Sequence, residues 1–312
     1  MDWKQLFPFK PHSIPLPSTL AHGTENAYLT YYCNAAGDAW LAQRANSATE
    51  AAAVTPILCL HGNPTWSFYF RNLFALPQPV FSIDHLGCGF SSKPQDYPYN
   101  LQQHIDNAVY LLASLKIERY HLVAHDWGGA IAMGVLAQAP NKVKSITLMN
   151  TAAFYSTDIP KRIALLKTPW LGEFCIRRFN IFARAALTMA TTKGLGPAEK
   201  QGYLAPYGSY AERVGIAAFV ADIPFSRQHK TALLLAKIEA ALAAVRSAET
   251  PTLLLWGMRD FCFHEAFLTR FQSLIPHAQS IRFENAGHYL LEDAKEEVML
   301  PLVQFYKNIP GV

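Results

Sequence analysis

Six short apolar runs recur along the chain with helical patterns between them, and this alternation constrains the fold more than any other feature. The runs lie at 56–60, 80–83, 120–124, 143–149, 252–256 and 280–283. Each run is rich in Val, Ile, Leu or Phe and too continuous for a strand with one face in water. Helical patterns fall at about 101–116, 128–139, 264–274 and 293–308. The alternation predicts βαβ units, and hence an α/β fold with a mainly parallel sheet and helices on both faces.

The alternation stops between about 155 and 245, where the pattern is helical with loops and no strand-like run occurs. We therefore predict a helical cap over 155–245, inserted into a core formed by 1–154 and 246–312. A cap over the carboxyl ends of a sheet is a place where an apolar pocket forms. The first 20 residues hold four of the 20 prolines and are expected to run as an irregular surface arm.

Composition excludes several classes of protein. Hydrophobic residues make up 51% and charged residues 16%, which is the opposite of a disordered chain. No apolar run approaches the length of a membrane-spanning helix, and the N-terminus has no secretory h-region. The net charge of +4 is spread, so nucleic-acid binding is not expected. Five scattered cysteines without CxxC spacing predict reduced thiols in a cytoplasmic protein rather than disulfides or a zinc site. No motif indicates a metal or an organic cofactor.

The most informative segment surrounds Asp126. A strand-like run enters a turn with small residues at 124, 128 and 129, and a helical pattern follows at once. This is typical of a nucleophile elbow, in which a strained strand-to-helix turn exposes one side chain over the sheet. Asp126 stands where a serine would stand in G-x-S-x-G, and Ala124 replaces the first glycine. The alternative is a loop aspartate that caps the following helix.

An aspartate nucleophile requires further groups. The carboxylate attacks carbon and leaves an alkyl-enzyme ester, whose release by water needs a separate base. Asp260 follows the run at 252–256, and His288 follows the run at 280–283. Nucleophile, acid and histidine in that order are typical of an α/β-hydrolase triad, with each residue after the carboxyl end of its strand. His288 would be the base that activates water, and Asp260 would orient it, if Asp126 is the nucleophile.

The loop after the run at 56–60 completes the predicted site. It can aim backbone N–H groups at the nucleophile, so the amides of Asn63 and Trp127 are the expected oxyanion-hole pair. The Asn63 side-chain amide and the Trp127 indole N–H add neutral donors. Such donors suit a leaving anion such as halide or carboxylate.

These motifs resemble those of the haloalkane dehalogenase group of α/β-hydrolases. The matching stretches are HGNPTWS at 61–67, DHLGCG at 84–89, SKP at 92–94, HDWGG at 125–129, WGMRD at 256–260 and GH at 287–288. The resemblance implies Asp126 as nucleophile, His288 as base, Asp260 as its partner, and Asn63 with Trp127 as the leaving-group clamp. One branch of the group places its acid at the position of Asn150, so here the acid comes from Asp260.

Within that branch the chain resembles the β-lactone decarboxylases of bacterial long-chain olefin biosynthesis. The resemblance rests on NTAAF at 150–154, GYLAPY at 202–207, FVADIP at 219–224, DFCF at 260–263 and GHYLLED at 287–293. It implies conversion of cis-3,4-dialkyl β-lactones to cis-alkenes and CO2 without a cofactor, in an assembly with a β-lactone synthetase and a thiolase. Long alkyl chains need an apolar cleft, which seven cap residues would either line or leave for the cap's own core: Phe179, Ile181, Phe182, Leu187, Met189, Phe219 and Val220.

Three other functions stay open. Haloalkane dehalogenation needs nearly the same site as lactone decarboxylation. Epoxide hydrolysis also uses an aspartate nucleophile but needs cap phenols, for which Tyr155, Tyr203, Tyr207 and Tyr210 are candidates. A non-catalytic binding module would use the pocket alone.

Overall fold

A computed structural model of the chain describes residues 2–46, 54–168 and 170–309 and contains an eight-stranded sheet. The spatial order of the strands is β1-β2-β4-β3-β5-β6-β7-β8. In chain order they are β1 His12–Pro15, β2 Tyr28–Cys33, β3 Ile57–Leu60, β4 Val80–Asp84, β5 Tyr120–Asp126, β6 Val143–Thr151, β7 Thr252–Gly257 and β8 Gln279–Phe283. The six strands predicted from apolar runs are β3 to β8, and they pair in parallel. The predicted α/β fold is confirmed.

Strands β1 and β2 form an antiparallel edge that the alternation did not predict. β2 pairs antiparallel with β4, and β1 pairs antiparallel with β2. The expectation of an irregular arm over the first 20 residues is therefore wrong. Two aromatic side chains anchor this segment: Phe7 is buried, with its ring 4.8 Å from that of Tyr32, and the Trp3 ring lies 5.7 Å from that of Trp66.

Fourteen α-helices lie within the described part of the chain. They are α1 Trp3–Leu6, α2 Ser18–Ala21, α3 Ala35–Asn46, α4 Leu101–Ser114, α5 Trp127–Gln138, α6 Lys161–Leu165, α7 Leu171–Phe179, α8 Ile181–Met189, α9 Pro197–Leu204, α10 Val214–Asp222, α11 Lys230–Ser247, α12 Glu265–Leu274, α13 Leu290–Asp293 and α14 Lys295–Lys307. Short 3-10 helices occupy Ser67–Ala75, Pro140–Lys142 and Ala211–Arg213. None of the described helices combines the length and apolar character needed to cross a bilayer.

Apolar side chains on both faces of the sheet explain why its central strands read as continuous runs. In β3, Leu58 and Leu60 join one buried cluster, which includes residues of α4, α5, α11 and α12. Ile57 and Cys59 join a second cluster, with residues of the 3-10 helix Ser67–Ala75 and of α14. Successive side chains of a strand point to opposite faces, so a strand covered on both sides has no polar positions.

The chain between β6 and β7 is helical, with no strand among its described residues. It contains α6 to α11, of which α11 packs against α4 and α5 on the sheet. The division into a core of 1–154 and 246–312 and a cap of 155–245 stays a prediction. The packing of α11 indicates that its residues belong with the helices that cover the sheet.

Candidate active site

Asp126 lies at a sharp turn between β5 and α5. Its backbone has φ 54° and ψ −129°, a conformation that a non-glycine residue rarely adopts and that costs free energy. Helix α5 begins at the next residue, and the Asp126 side chain makes no capping hydrogen bond to it. Methyl groups on Gly128 and Gly129 would collide with the Leu60 carbonyl and the Thr151 side chain. The helix can approach β3 and β6 this closely only because both positions are glycine.

The Asp126 carboxylate is buried and held in place by polar groups. The Asn63 backbone N–H donates to Oδ1 at 2.7 Å, and the Trp127 backbone N–H lies near enough to lower the pKa of the carboxylate. His288 Nε2 lies 3.5 Å from Oδ2. Burial raises the pKa of Asp126 above its usual value, although His288 and the two amides oppose this rise. The carboxylate is thus less solvated than in water, which favours nucleophilic attack.

His288 is oriented by Asp260. The His288 Nδ1 and Asp260 Oδ2 atoms are 2.7 Å apart, and the Cys262 backbone N–H donates to Asp260 Oδ1 at 2.7 Å. Burial alone would lower the pKa of His288. The negative charge of Asp260, its hydrogen bond and the charge of Asp126 outweigh burial and raise that pKa. The structure therefore brings the three predicted triad residues into one chain of contacts.

The predicted clamp residues lie beside the same carboxylate. Asn63 Nδ2 donates one hydrogen to the Ile216 carbonyl at 3.1 Å, which leaves its second hydrogen available. The Trp127 ring packs on Phe219 at 5.5 Å, and its indole N–H has no hydrogen-bond partner among the described residues. Both side chains line the cavity that contains Asp126. Two neutral donors therefore remain free to face a ligand.

The cavity measures about 130 Å³ and is mainly apolar. Its lining comprises Asn63, Asp126, Trp127, Ala130, Ala152, Phe154, Ser156, Asp158, Ile159, Pro160, Ile163, Phe182, Ile223, Pro224, Leu235, Cys262, Phe263 and Phe267. Of the seven cap residues considered from the sequence, only Phe182 is in this lining. Phe219 and Val220 are buried in the packed clusters, whereas Phe179 is 54% exposed. The hydrophobicity of the sequence therefore did not distinguish cap residues that line the cavity from cap residues that pack in the core.

The four candidate phenols do not line this cavity. Tyr203 donates to Glu292, and Tyr207 donates to the Thr65 carbonyl at 3.3 Å. The Tyr155 and Tyr210 rings lie against the guanidinium groups of arginines. No described tyrosine is therefore in place to protonate an oxygen that leaves near Asp126.

His125 is a site residue that the sequence analysis did not single out. It is fully buried between Tyr69, whose ring centre is 4.2 Å away, and His288, whose ring centre is 4.5 Å away. The His125 Nε2 atom lies 2.8 Å from the His288 carbonyl oxygen. Burial lowers the pKa of His125 well below its usual value, so a neutral ring donates this hydrogen bond. Thus the residue before the predicted nucleophile fixes the backbone of the opposing histidine.

Asn150, whose amide cannot act as the acid of a triad, binds the backbone of Gly257. Its side chain accepts from Gly257 N at 2.8 Å and donates to Gly257 O at 3.0 Å. It thereby ties the end of β6 to the end of β7, the strand that precedes Asp260. Thr151 also contributes, because its hydroxyl donates to the Asp126 carbonyl.

Comparison with known proteins gives one family match, two relatives and one solved structure. Residues 55–295 match the family described as alpha/beta hydrolase fold. The chain is 38% identical over 260 residues to a cis-3-alkyl-4-alkyloxetan-2-one decarboxylase of Shewanella oneidensis, covering 80% of this chain and 81% of that one. It is 34% identical over 264 residues to a protein of the same name from Xanthomonas campestris, covering 80% and 87%. The crystal structure of haloalkane dehalogenase DbeA from Bradyrhizobium elkani superposes with a TM-score of 0.81 at 25% identity, covering 96% and 98%.

Proposed function

Since the chain belongs to the α/β hydrolase fold family, we propose that it is an enzyme that converts cis-3,4-dialkyl β-lactones to cis-alkenes and CO2. The observation that carries this proposal is the 38% identity to an oxetanone decarboxylase over 260 residues, a stretch longer than the predicted core alone. A carboxylate nucleophile in an apolar cavity supports it, because a dialkyl lactone is apolar except for its strained ring.

In the first step, a carboxylate oxygen of Asp126 attacks the alkyl-bearing ring carbon that is bonded to the ring oxygen, and not the carbonyl carbon. A carbon–oxygen bond forms to Asp126, and the bond between this carbon and the ring oxygen breaks. The electron pair of the broken bond stays on that oxygen, so the former lactone carbonyl group becomes a carboxylate on the neighbouring carbon. The attacked carbon inverts. Donors at Asn63 and Trp127 stabilise the new carboxylate, as oxyanion-hole groups do for developing charge.

In the second step, the bond to this carboxylate breaks and CO2 leaves. The electron pair of the broken carbon–carbon bond forms the double bond of the alkene. The bond to Asp126 breaks at the same time, which restores the aspartate. Anti elimination after inversion gives the cis-alkene from the cis-lactone. The backbone amides of Asn63 and Trp127 and the cationic form of His288 make Asp126 a better leaving group, since they stabilise its negative charge. The two steps consume no water and use no cofactor.

The experiment is to incubate the protein with a synthetic cis-dialkyl β-lactone and to follow cis-alkene by gas chromatography. We expect alkene from the native chain and a loss of about a thousandfold or more with Asp126→Asn. Circular dichroism checks that the variant is folded. Recovery of unreacted lactone, or of hydroxy acid only, would overturn the proposal. An unaltered rate with folded Asp126→Asn would overturn Asp126 as the nucleophile, whereas unchanged biological function of that variant would favour the binding-module alternative.

Haloalkane dehalogenation is the second candidate, favoured by the free Trp127 indole N–H and the free Asn63 hydrogen beside Asp126. In that reaction His288 activates the water that releases the ester. His288→Ala should then trap a haloalkane-derived alkyl group on Asp126, visible by intact-mass spectrometry. A panel of haloalkanes that gives no adduct counts against this activity. No tyrosine among the described residues lines the cavity, which makes epoxide hydrolysis a weaker alternative.

The proposed reaction also bears on location and partners. A β-lactone must be supplied by a lactone-forming enzyme, and an apolar, strained substrate is best handed over within an assembly. We therefore propose that the chain works in the cytoplasm with a β-lactone synthetase and a thiolase. The free cysteines of the described chain support a reducing compartment. Co-purification with the synthetase tests the assembly, separately from turnover of added lactone.

A further inference from the structure

The β1 edge of the sheet brings a histidine, a cysteine and an aspartate together from three elements. His12 begins β1, Cys33 ends β2, and Asp38 lies in the first turn of α3. The antiparallel register pairs His12 with Tyr31, and Cys33 lies two residues further along β2 on the same face. The His12 ring stacks on Tyr31, with ring centres 5.0 Å apart. The sheet thus fixes the imidazole next to the thiol.

Helix α3 delivers Asp38 because Gly37 allows a close approach. A methyl group on Gly37 would lie 2.7 Å from Cys33 Cβ, closer than side-chain atoms pack. Asn34 secures the start of α3, since its Oδ1 accepts from Gly37 N at 2.8 Å and from Val80 N at 3.0 Å. The position of the carboxylate is therefore built into the backbone.

The separations of the three polar atoms match those around a tetrahedral metal ion. Cys33 Sγ is 3.2 Å from Asp38 Oδ1 and 3.8 Å from His12 Nε2, and His12 Nε2 is 3.4 Å from Asp38 Oδ1. Zinc binds sulfur at about 2.3 Å and nitrogen or oxygen at about 2.0–2.2 Å, which places neighbouring ligands about 3.3–3.6 Å apart. One oxygen, one nitrogen and one sulfur therefore outline a face of the coordination tetrahedron.

We propose that His12, Cys33 and Asp38 bind a divalent transition metal ion of the zinc class, with water as the fourth ligand. On binding, the Cys33 thiol releases its proton to solvent and the sulfur–metal bond forms. Thiolate and carboxylate together carry two negative charges, which the ion neutralises. Cys33 is buried, whereas the His12 and Asp38 side chains are 27% and 58% exposed, so an ion can enter from solvent.

The role of such a site is structural. The ion would join β1, β2 and α3, and would hold the edge strand to the sheet. Cysteine spacing alone predicted no zinc site, because these ligands come from three elements without a motif. The site is separate from the proposed catalysis, so either can be tested without the other.

The test uses the full chain, stripped with a chelator and titrated with cobalt(II) chloride. We expect saturation at one equivalent, with the visible bands of tetrahedral cobalt and a near-ultraviolet sulfur-to-cobalt charge-transfer band. Cys33→Ser should abolish the charge-transfer band, and His12→Gln and Asp38→Asn should weaken binding at least tenfold. Cys175→Ser, at a partly exposed cysteine of α7, is the matched control and should leave the spectrum unchanged.

Two further outcomes decide the matter. Zinc should raise the midpoint of thermal unfolding of the native chain, and this rise should be smaller in His12→Gln and Asp38→Asn, whose partly exposed side chains can be replaced without unfolding the core. A weak octahedral cobalt spectrum, or a tetrahedral spectrum that survives in both Cys33→Ser and Asp38→Asn, would overturn the proposal.

Discussion

Asp126 and His288 need opposite charges in the proposed decarboxylation, and this makes activity depend on pH in two directions. Burial raises the pKa of Asp126 above 3.8, and Asp260 with Asp126 raises the pKa of His288 above 6.5 in spite of burial. The value of kcat/KM for alkene release should fall as the pH drops through the Asp126 pKa, because the protonated carboxyl group does not attack. It should also fall as the pH rises through the His288 pKa, because the neutral imidazole no longer stabilises a departing carboxylate.

A pH profile of kcat/KM from about pH 4 to about pH 9 measures both effects. A haloalkane substrate gives the contrast within the same protein, since hydrolysis needs neutral His288 and should increase through the same pKa. If lactone turnover also rises steadily above pH 6.5, His288 acts as a neutral base and the assigned charge state is wrong.

The residues of the candidate site differ in how far the sequence could predict them. Asp126 ends a strand, Asp260 and His288 each follow one, and the order of the three along the chain is distinctive. His125 was not predictable as a site residue, because its partner is a backbone carbonyl far along the chain. A side chain that binds a backbone group does not require a particular residue type as its partner, so the sequence shows no pair of residues that would indicate the contact.

At the scale of elements, the turn from β5 to α5 depends on the lack of a side chain at Gly128. A methyl group there would overlap the Leu60 carbonyl, which is backbone and cannot rotate away. Gly128→Ala should lower the free energy of unfolding by about 1–3 kcal/mol, typical of overpacking, and should reduce alkene release by displacing Asp126. Denaturant unfolding and gas chromatography measure the two effects.

Gly208→Ala is the matched control for Gly128→Ala. A methyl group at Gly208 would meet its nearest neighbour, Glu212 Oε2, at an ordinary 3.4 Å. Stability and turnover should both stay near native values in this variant. Equal losses in the two variants would show that the β5–α5 turn has no special requirement for glycine.

The strands that the sequence did not predict belong to the antiparallel edge. The apolar-run pattern selects strands buried on both faces and followed by helices, as β3 to β8 mostly are. β1 alternates between half-buried and exposed positions and contains Pro15, and β2 is interrupted by Thr30. These two strands are also consecutive in the sheet without a crossover between them. A pattern based on parallel units therefore could not identify them.

At the scale of the molecule, a buried ion pair joins distant parts of the chain. Arg71 donates two hydrogen bonds to Glu292, at 2.6 and 2.7 Å, and Tyr203 donates to the same carboxylate. The Arg71 and Glu292 side chains are only 7% and 6% exposed. This group connects the 3-10 helix Ser67–Ala75, α13 and α9, so it anchors part of the predicted cap range to the sheet.

Arg71→Leu should lower the free energy of unfolding by about 3–5 kcal/mol, because it leaves Glu292 buried without its cation. The double variant Arg71→Leu with Glu292→Leu should lose less. The comparison pair is Arg270–Glu239, whose side chains are 52% and 23% exposed. Arg270→Leu should change stability by no more than about 1 kcal/mol. Similar losses at the two sites, measured by denaturant unfolding, would contradict this difference.

Buried histidines make the whole fold sensitive to mild acid. Burial lowers the pKa of His61 and of His121 to about 4 and of His104 to about 3. Burial also lowers the pKa of His85 and of His125 well below 6.5. Below pH 6.5 the unfolded chain binds protons that these rings do not bind when folded, so stability falls as the pH falls, by about 1.4 kcal/mol per unit for each ring.

Buried carboxyl groups oppose this trend only in part. Burial raises the pKa of Asp84 to about 6 and also raises the pKa of Asp126 and of Asp222, so these groups decrease stability as the pH rises through their folded-state pKa values. Five histidines outweigh these three groups, so the thermal midpoint should drop between pH 6.5 and pH 5. His104→Phe should make the decline of stability with falling pH less steep, by about the contribution of one histidine. A constant midpoint across this interval would disprove the assignment of neutral buried rings.

The hold of Asn63 on Asp126 has a stereochemical consequence. The backbone N–H of Asn63 donates to Oδ1 of Asp126, whereas Oδ2 is the oxygen near His288. The bend at Asp126 and its hydrogen bond from Asn63 hold the plane of the carboxyl group, so we expect attack from one direction only. Only one of two mirror-image cis-lactones should then set its breaking bond in line with Oδ2 when its alkyl chains fill the cavity. A racemic mixture should therefore stop at half conversion, and chiral chromatography should recover the other enantiomer intact.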